Sequence, residues 1–575
     1  MEVRTLKDLV EFGNDKNLNS TAFIERRNNE IGYIKYTYQD VKEDVKDLAT
    51  ALIEKHNLKG KKIAVIGENS YKWMMSYLAV TSCVGVIVPL DRELPANEIV
   101  NLLEQSDAEA IFYSSKKRDV IESIKELLPD VKVFIEMYSE EESGEPLDTT
   151  YEVLIKEGRE LRLGGNRVFE KTKIDDGEFR VLIYTSGTTS AAKGVMLSHK
   201  NLINNAVCAK KLVPPIGKKD TFFSVLPMHH TYEMAATYIW GMYVGSCIGI
   251  CQGLKYLSPN MEEYKPTILT AVPLLLDKVM RKVEKGITEQ GKTETVKKAK
   301  KVTTNLSKLG INVKRTVFKS IHEKLGGRLK YILSGSAPID PELINKYEEI
   351  GIAVVQGFGL TEAAPLICGN YLRSRNPATV GKAAKGMEVK LFNVNEDGVG
   401  ELITRGDNVM LGYYKNPKKT AEVIKDGWLH TEDLAYKDKR GDYVICGRSK
   451  NLIVTKNGKK IFPEELEALV NNIPEVKESL VYEKENKEDV TNPMVAVIVA
   501  IDEEHLKEKY GKKRPTNEAL QEKIWKDIKD INRTLVSYKA IRNLKIKEGE
   551  FEKTTTLKIK RFIEMEEIKK QNHKK

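Results

Sequence analysis

One stretch constrains this chain more than any other, residues 181–201, V-L-I-Y-T-S-G-T-T-S-A-A-K-G-V-M-L-S-H-K-N. The apolar run 181–184 reads as a buried strand. It empties into Thr185, Ser186, Gly187, Thr188, Thr189 and Ser190, all small or hydroxylated, with Lys193 and Gly194 soon after. A second apolar run, 195–197, leads to Ser198-His199-Lys200-Asn201, where a helix start is expected. Small residues let backbone N–H groups approach an anion, hydroxyls add donors, and a lysine supplies a point charge. That is the chemistry of a polyphosphate cradle. It is not the ordinary P-loop, because five residues separate Gly187 from Lys193 and the second glycine follows the lysine. The plainer alternative is a flexible Ser/Thr/Gly surface loop; the apolar strands gripping it on both sides argue against that.

Upstream, strand and helix patterns alternate: strands at 62–67, 86–90, 108–113 and 131–135, helices at 38–55, 71–84, 97–105 and 118–128. Such spacing implies βαβ units and a largely parallel sheet, whose ligands bind at the carboxyl ends of strands. A second αβ set follows, with strands at 221–226, 267–272, 329–333 and 353–355 and helices at 274–285 and 341–350. From 379 to 447 the segments shorten and glycine becomes frequent, which predicts a small antiparallel β unit. Beyond Gly447 lies a charged break, then a compact α+β pattern. The expected fold is α/β: a large N-terminal part, 1–448, of two αβ subdomains plus a small β unit, then a small mobile α+β domain, 449–575.

Several loops carry chemistry. Gln356-Gly357-Phe358-Gly359-Leu360-Thr361-Glu362 follows a strand and ends on a carboxylate. Glu362 could hold Mg²⁺ whose other ligands are phosphate oxygens, with Thr185 as a second protein contact. Asp433, in Thr431-Glu432-Asp433, suits ribose hydroxyls, and Arg448 offers a fork donor nearby in sequence. Ser334-Gly335-Ser336-Ala337-Pro338 has the small residues a flat base needs to lie against backbone.

The order of these motifs resembles the adenylate-forming superfamily over nearly the whole chain, from about Lys61 to Arg561. Ser190 and Ala192 stand where that family usually has glycine and proline. Leu226-Pro227-Met228-His229-His230 and the long basic insertion are most similar to long-chain fatty acyl-CoA synthetases. The resemblance implies ATP, CoA and a fatty acid as substrates with Mg²⁺ as cofactor. The acid is activated as acyl-AMP with loss of pyrophosphate, then passed to CoA with loss of AMP. An adenylating ligase serving a carrier protein, or an aryl or other carboxylic acid, is the alternative.

By the same resemblance, Gln356, Gly357, Phe358, Gly359 and Thr361, with Ser336 and Ala337, frame adenine and the α-phosphate. Asp433 and Arg448 hold the ribose, and His230 lies beside the substrate carboxylate; a satisfied structural histidine is its alternative. Lys193, Glu362, His230 and Lys558 are the implied catalytic set. Lys558 precedes Arg561 by three residues as in the family's last motif, although Leu557 replaces the usual glycine. Lys450 falls at the hinge, and Lys456 and Gly458 in the loop of the CoA step, where the contacting lysine of 456–460 stays open.

Net charge is +10, unevenly placed: residues 281–330 hold 15 Lys/Arg against 4 Asp/Glu. That segment reads as a solvated helical face or as attraction to CoA phosphates, an anionic membrane surface or nucleic acid. No nucleic-acid module accompanies the charge, so no nucleic-acid partner is expected. Six scattered cysteines form no zinc spacing and read as reduced core residues. With no apolar signal core and no spanning segment, cytoplasm is the default. Residues 281–330 are where a peripheral membrane contact would form.

Overall fold

The computed structural model describes residues 2–26, 32–137, 146–185, 192–455, 459–484, 494–511, 513–553 and 559–572. The chain forms two compact units, Met1–Val389 with Thr404–Leu429, and Lys390–Ile403 with His430–Lys575. No helix among the described residues is long and apolar enough to cross a membrane.

The first unit is built on two large sheets. In the eight-stranded one, Lys62–Ile66 lies parallel to both Val86–Leu90 and Ala108–Tyr113, as the alternating pattern predicts. Apart from Lys62 and Glu109 these strands are apolar, as strands buried on both faces are; Ile63, Ala64, Val65 and Ile66 are fully buried. Phe179–Thr185 joins parallel beside Val86–Leu90, and Lys193–Ser198 returns antiparallel along it. The two apolar runs that flank the Ser/Thr/Gly stretch are therefore neighbouring strands.

In the nine-stranded sheet, Thr221–Ser224, Ile268–Ala271, Tyr331–Ser334 and Ala353–Gly359 run parallel side by side. Ala271 is level with Ser334, and Ser334 with Gln356, so their carboxyl ends leave the sheet at one edge. The last strand is longer than the sequence suggests. Gln356, Gly357, Phe358 and Gly359 belong to it, because Leu366–Gly369 folds back antiparallel alongside. The glycines that read as a loop instead allow a close approach: a Cβ on Gly359 would stand 1.8 Å from the Pro365 carbonyl oxygen.

Helix His199–Leu212 starts where expected. The Ser198 hydroxyl accepts from Asn201 N–H, and the Asn201 side chain accepts from Ser198 N–H, a reciprocal cap. The Asn201 amide also donates to the carbonyls of Asp407 and Val409 at 2.8 and 2.9 Å. Asn205 accepts from Leu366 N–H, and Asn408 donates to the Leu366 carbonyl. One helix end thus fixes both the 407–409 segment and the strand after Glu362.

In the second unit, Val476–Lys484, Met494–Ile501 and Asn543–Ile546 form a three-stranded sheet. Helices Pro463–Val470 and Asn517–Thr534 cover it through Leu466, Leu520, Ile524 and Ile528. The glycine-rich region before it contains short strands, of which Trp428–Lys437 and Tyr443–Arg448 pair antiparallel.

Asn201→Ala removes a cap and takes the donor from two part-buried hydrogen bonds, to the carbonyls of Asp407 and Val409. It should cost about 2–4 kcal/mol, read as a fall in the denaturant midpoint with activity lost alongside.

Candidate functional site

The antiparallel return places Lys193 opposite Thr185 at the carboxyl end of Phe179–Thr185. Gly412–Tyr413 adds to the outer side of the same hairpin, with Tyr413 opposite Val195. The Lys193 ammonium accordingly lies over the Tyr413 ring, 5.6 Å from its centroid. The Tyr413 hydroxyl donates to Glu362 Oε1 at 2.8 Å, and Met410 N–H donates to the Glu362 carbonyl. Glu362 sits on the short turn Thr361–Ala363 that follows the strand of the other sheet. A cation from one sheet and a carboxylate from the other are thus joined through one tyrosine.

Beside this, the level ends of the parallel strands expose polar atoms inward. Ser334 Oγ and Gln356 Oε1 are buried and have no hydrogen-bond partner among the described residues. Buried polar groups are normally satisfied, so these two unpartnered atoms at adjacent strand ends are available to a polar ligand. Ser336 adopts a left-handed backbone, φ +71°, in the loop next to them. Gly335 is covered by the ring of Tyr232, whose hydroxyl donates to the Leu333 carbonyl. The flat group against that glycine is thus a protein side chain, and Ser336 and Ala337 remain partly open.

The loop carrying His230 follows Thr221–Ser224. Asn69 pins it, donating to the Leu226 carbonyl and accepting from Met228 N–H. His230 is half-buried and its ring packs on His229 at 4.0 Å. Burial pushes the His229 imidazole down to about 3, with Arg92 adding to the effect, so it is neutral at pH 7. Glu233, fully buried on the next turn, is pushed by burial up to about 8, against donors from Ser224, Thr237 and Val225 N–H. Ser224 Oγ in turn bonds the Tyr238 hydroxyl at 2.7 Å.

In the second unit, Asp433 and Arg448 face each other across paired strands, with Arg448 Nε donating to Asp433 Oδ1 at 3.3 Å. Lys450, on the turn Ser449–Asn451, pairs with Glu432 at 2.8 Å. Arg561 donates to Glu467 Oε1 and to the Val481 carbonyl. Ser186, Gly187, Thr188, Thr189, Lys456, Gly458 and Lys558 lie outside the described residues.

Reading the sequence missed Tyr413 and Glu233, and named Ser334 only as a small residue of its stretch. Tyr413 belongs to a two-residue strand whose partner is known only once the hairpin is folded. Glu233 stood in plain view three residues after His230, a carboxylate within an apolar run. No group of three or more His, Cys, Asp or Glu able to hold a metal occurs among the described residues. A Mg²⁺ fits here only as Glu362 and Thr185 would hold it, with phosphate oxygens completing the shell.

The fold is that of adenylate-forming enzymes. It is similar to the anthranilate CoA ligase AuaEII, solved with anthranoyl-AMP, at a TM-score of 0.78 and 19% identity over 99% of this chain and 98% of that one. The chain itself belongs to the AMP-binding enzyme family, which it matches over residues 12–414. It is 29% identical to the peroxisomal long chain acyl-CoA synthetase 6 of Arabidopsis thaliana, across 78% of this chain and 66% of that protein. It is 26% identical to the long-chain-fatty-acid–CoA ligase FadD15 of Mycobacterium bovis, across 92% of this chain and 90% of that protein.

Glu233 gives a pH prediction. Its carboxyl is held above its unfolded value near 4.5, so folding favours the protonated form. Its contribution to stability is full below about pH 4.5 and declines as pH rises toward 8. Glu233→Gln, which cannot ionise, should flatten the pH dependence of the unfolding free energy between pH 5 and 8. Identical slopes in the two proteins would remove the buried-acid assignment.

Proposed function

We propose that this protein is an ATP-dependent, AMP-forming acyl-CoA synthetase that activates a long-chain fatty acid. The observation that carries this is the similarity to FadD15 over nearly the full length of both chains, with a long-chain ligase named at each of the two relatives above. The site geometry supports the adenylating half of the reading.

The fatty-acid carboxylate attacks the α-phosphorus of ATP. The bond to the bridging oxygen breaks, pyrophosphate leaves, and acyl-AMP remains. The thiolate of CoA then attacks the acyl carbon and AMP departs. Lys193 faces the phosphates as a point charge, steadied on the Tyr413 ring. Gln356, Gly357, Phe358, Gly359 and Thr361 frame the nucleotide together with Ser336 and Ala337; the unpartnered Gln356 and Ser334 oxygens supply polar contacts there. His230 orients the substrate carboxylate, and Asp433 with Arg448 takes the ribose. Lys558 completes the charge donors of the first step. Lys450 is the hinge about which the small domain turns to bring the loop of Lys456 and Gly458 to CoA. Glu362 and Thr185 would hold a Mg²⁺, which would supply charge neutralisation on the phosphates.

The test of substrate class is AMP release with fatty acids of graded length, with benzoate and with an acyl carrier protein as controls. A rate that rises into the long-chain range and requires CoA supports the reading. A preference for benzoate, or transfer to the carrier alone, overturns it.

Two variants probe the cradle. Lys193→Ala should lower ATP–pyrophosphate exchange on the order of 10²–10³-fold, as for loss of one preorganised charge donor. Tyr413→Phe keeps the ring under Lys193 and frees Glu362, so a smaller loss of about 10-fold is expected.

Lys558→Ala should abolish exchange yet still make acyl-CoA from supplied acyl-adenylate. Equal loss of both half-reactions would remove the two-conformation reading.

A further inference from the structure

Helix Thr293–Lys308 has two unlike sides. Thr303 is buried, and Val296, Ala299 and Leu306 are half-buried on the same side, where the helix packs on Pro273–Glu289 and Pro341–Glu349. The opposite side presents Lys297, Lys298, Lys301 and Lys308, all exposed. Among the described residues only Lys300 of this helix is held by a carboxylate, that of Glu349 at 3.0 Å. Residues 292–319 hold nine Lys/Arg against Glu294 alone.

Charge is half of the pattern. Val302 is 57% exposed, and seven residues on, in the same stripe, Leu309 is 77% exposed. Ile311 follows at 52%. Gly310, at φ +82°, turns the chain tightly, with Ile311 N–H donating back to the Leu306 carbonyl. Two large apolar side chains therefore flank the tip of a turn that is ringed with lysines. A merely solvated face gains nothing from exposing them.

We propose that this face docks the protein on an anionic lipid bilayer. Leu309 and Ile311 enter the boundary between headgroups and acyl chains, and the helix lysines meet the headgroup phosphates. Lysine stems cover apolar surface while their ammonium groups stay in water, which suits that depth. A single-stranded nucleic acid would use the charge but would want aromatic rings for its bases. The nearest aromatic here, Phe318, is buried. The inference is independent of the fatty-acid assignment, because docking is measured without catalysis.

The experiment is co-sedimentation of the full chain with vesicles of phosphatidylcholine alone, or with about 30 mol% phosphatidylglycerol. The expected result is binding to the anionic vesicles that weakens as salt shortens the Debye length below about 10 Å. Lys297→Gln, Lys298→Gln, Lys301→Gln and Lys308→Gln should each reduce partitioning about fivefold. Leu309→Ser with Ile311→Ser should reduce it about tenfold. Both sets alter exposed residues away from the site, so exchange activity in detergent should be unchanged. The proposal is overturned by no binding at low salt, by equal binding to neutral vesicles, or by wild-type binding of the Leu309/Ile311 variant.

Discussion

The site depends on one register. Phe179–Thr185 and Lys193–Ser198 are paired so that Thr185 faces Lys193, and Gly412–Tyr413 docks on that hairpin with Tyr413 opposite Val195. Side chains alternate faces along a strand, so a slip of one residue would turn Lys193 and Tyr413 away from Glu362. Val181, Leu182, Val195 and Leu197 are all buried, so the paired hairpin is held within the core. Placement of Lys193 is thereby bound to the packing of a core.

A second constraint works at the other sheet. Leu366–Gly369 can lie along Ala353–Gly359 only because Gly359 has no side chain to meet the Pro365 carbonyl. That return leaves Glu362 on a short turn between the two strands, where Tyr413 reaches it. Met410 N–H, on the Glu362 carbonyl, ties the turn to the segment that Asn201 holds. The carboxylate is thus fixed by backbone contacts from three parts of the first unit, and its hydrogen bond to Tyr413 adds orientation more than anchorage.

Much of this was legible in the sequence, and for physical reasons. Fully buried parallel strands such as 62–66 read as continuous apolar runs, and Gly291 and Gly310 delimit the basic helix because each takes a positive φ beside it. The two apolar runs around the Ser/Thr/Gly stretch were recognisable as strands, and they pair as neighbours. The strand extension to Gly359 was not legible, since glycine for a close approach looks the same as glycine for a loop. Tyr413 was hidden for a different reason. Its role arises from a pairing between residues more than two hundred apart, which no local pattern encodes. Glu233 shows a third kind of failure: a carboxylate beside an apolar run suggests exposure, yet it is buried, and that burial favours its protonated form over the pull of the donors Ser224, Thr237 and Val225 N–H.

The second unit separates what is anchored from what can move. Arg561 reaches both Glu467 and the Val481 carbonyl, and Glu467 is largely buried, so breaking this clamp leaves an uncompensated carboxylate at a cost of several kcal/mol. The Lys450–Glu432 pair is different: its side chains are 47% and 36% exposed, and such surface pairs are worth about 0–1 kcal/mol. Rotation of the backbone at Ser449–Asn451 would give up that pair, whose partner water replaces, and would strain the bond from Asn451 Nδ2 to Glu464 Oε1 at 2.6 Å. The ion pair at the proposed hinge is therefore a weak restraint, while the strand pairing of Asp433 with Arg448 just before it stays intact through such a turn. A rotation confined to this turn would carry the Arg561 clamp and everything fixed to it as one body.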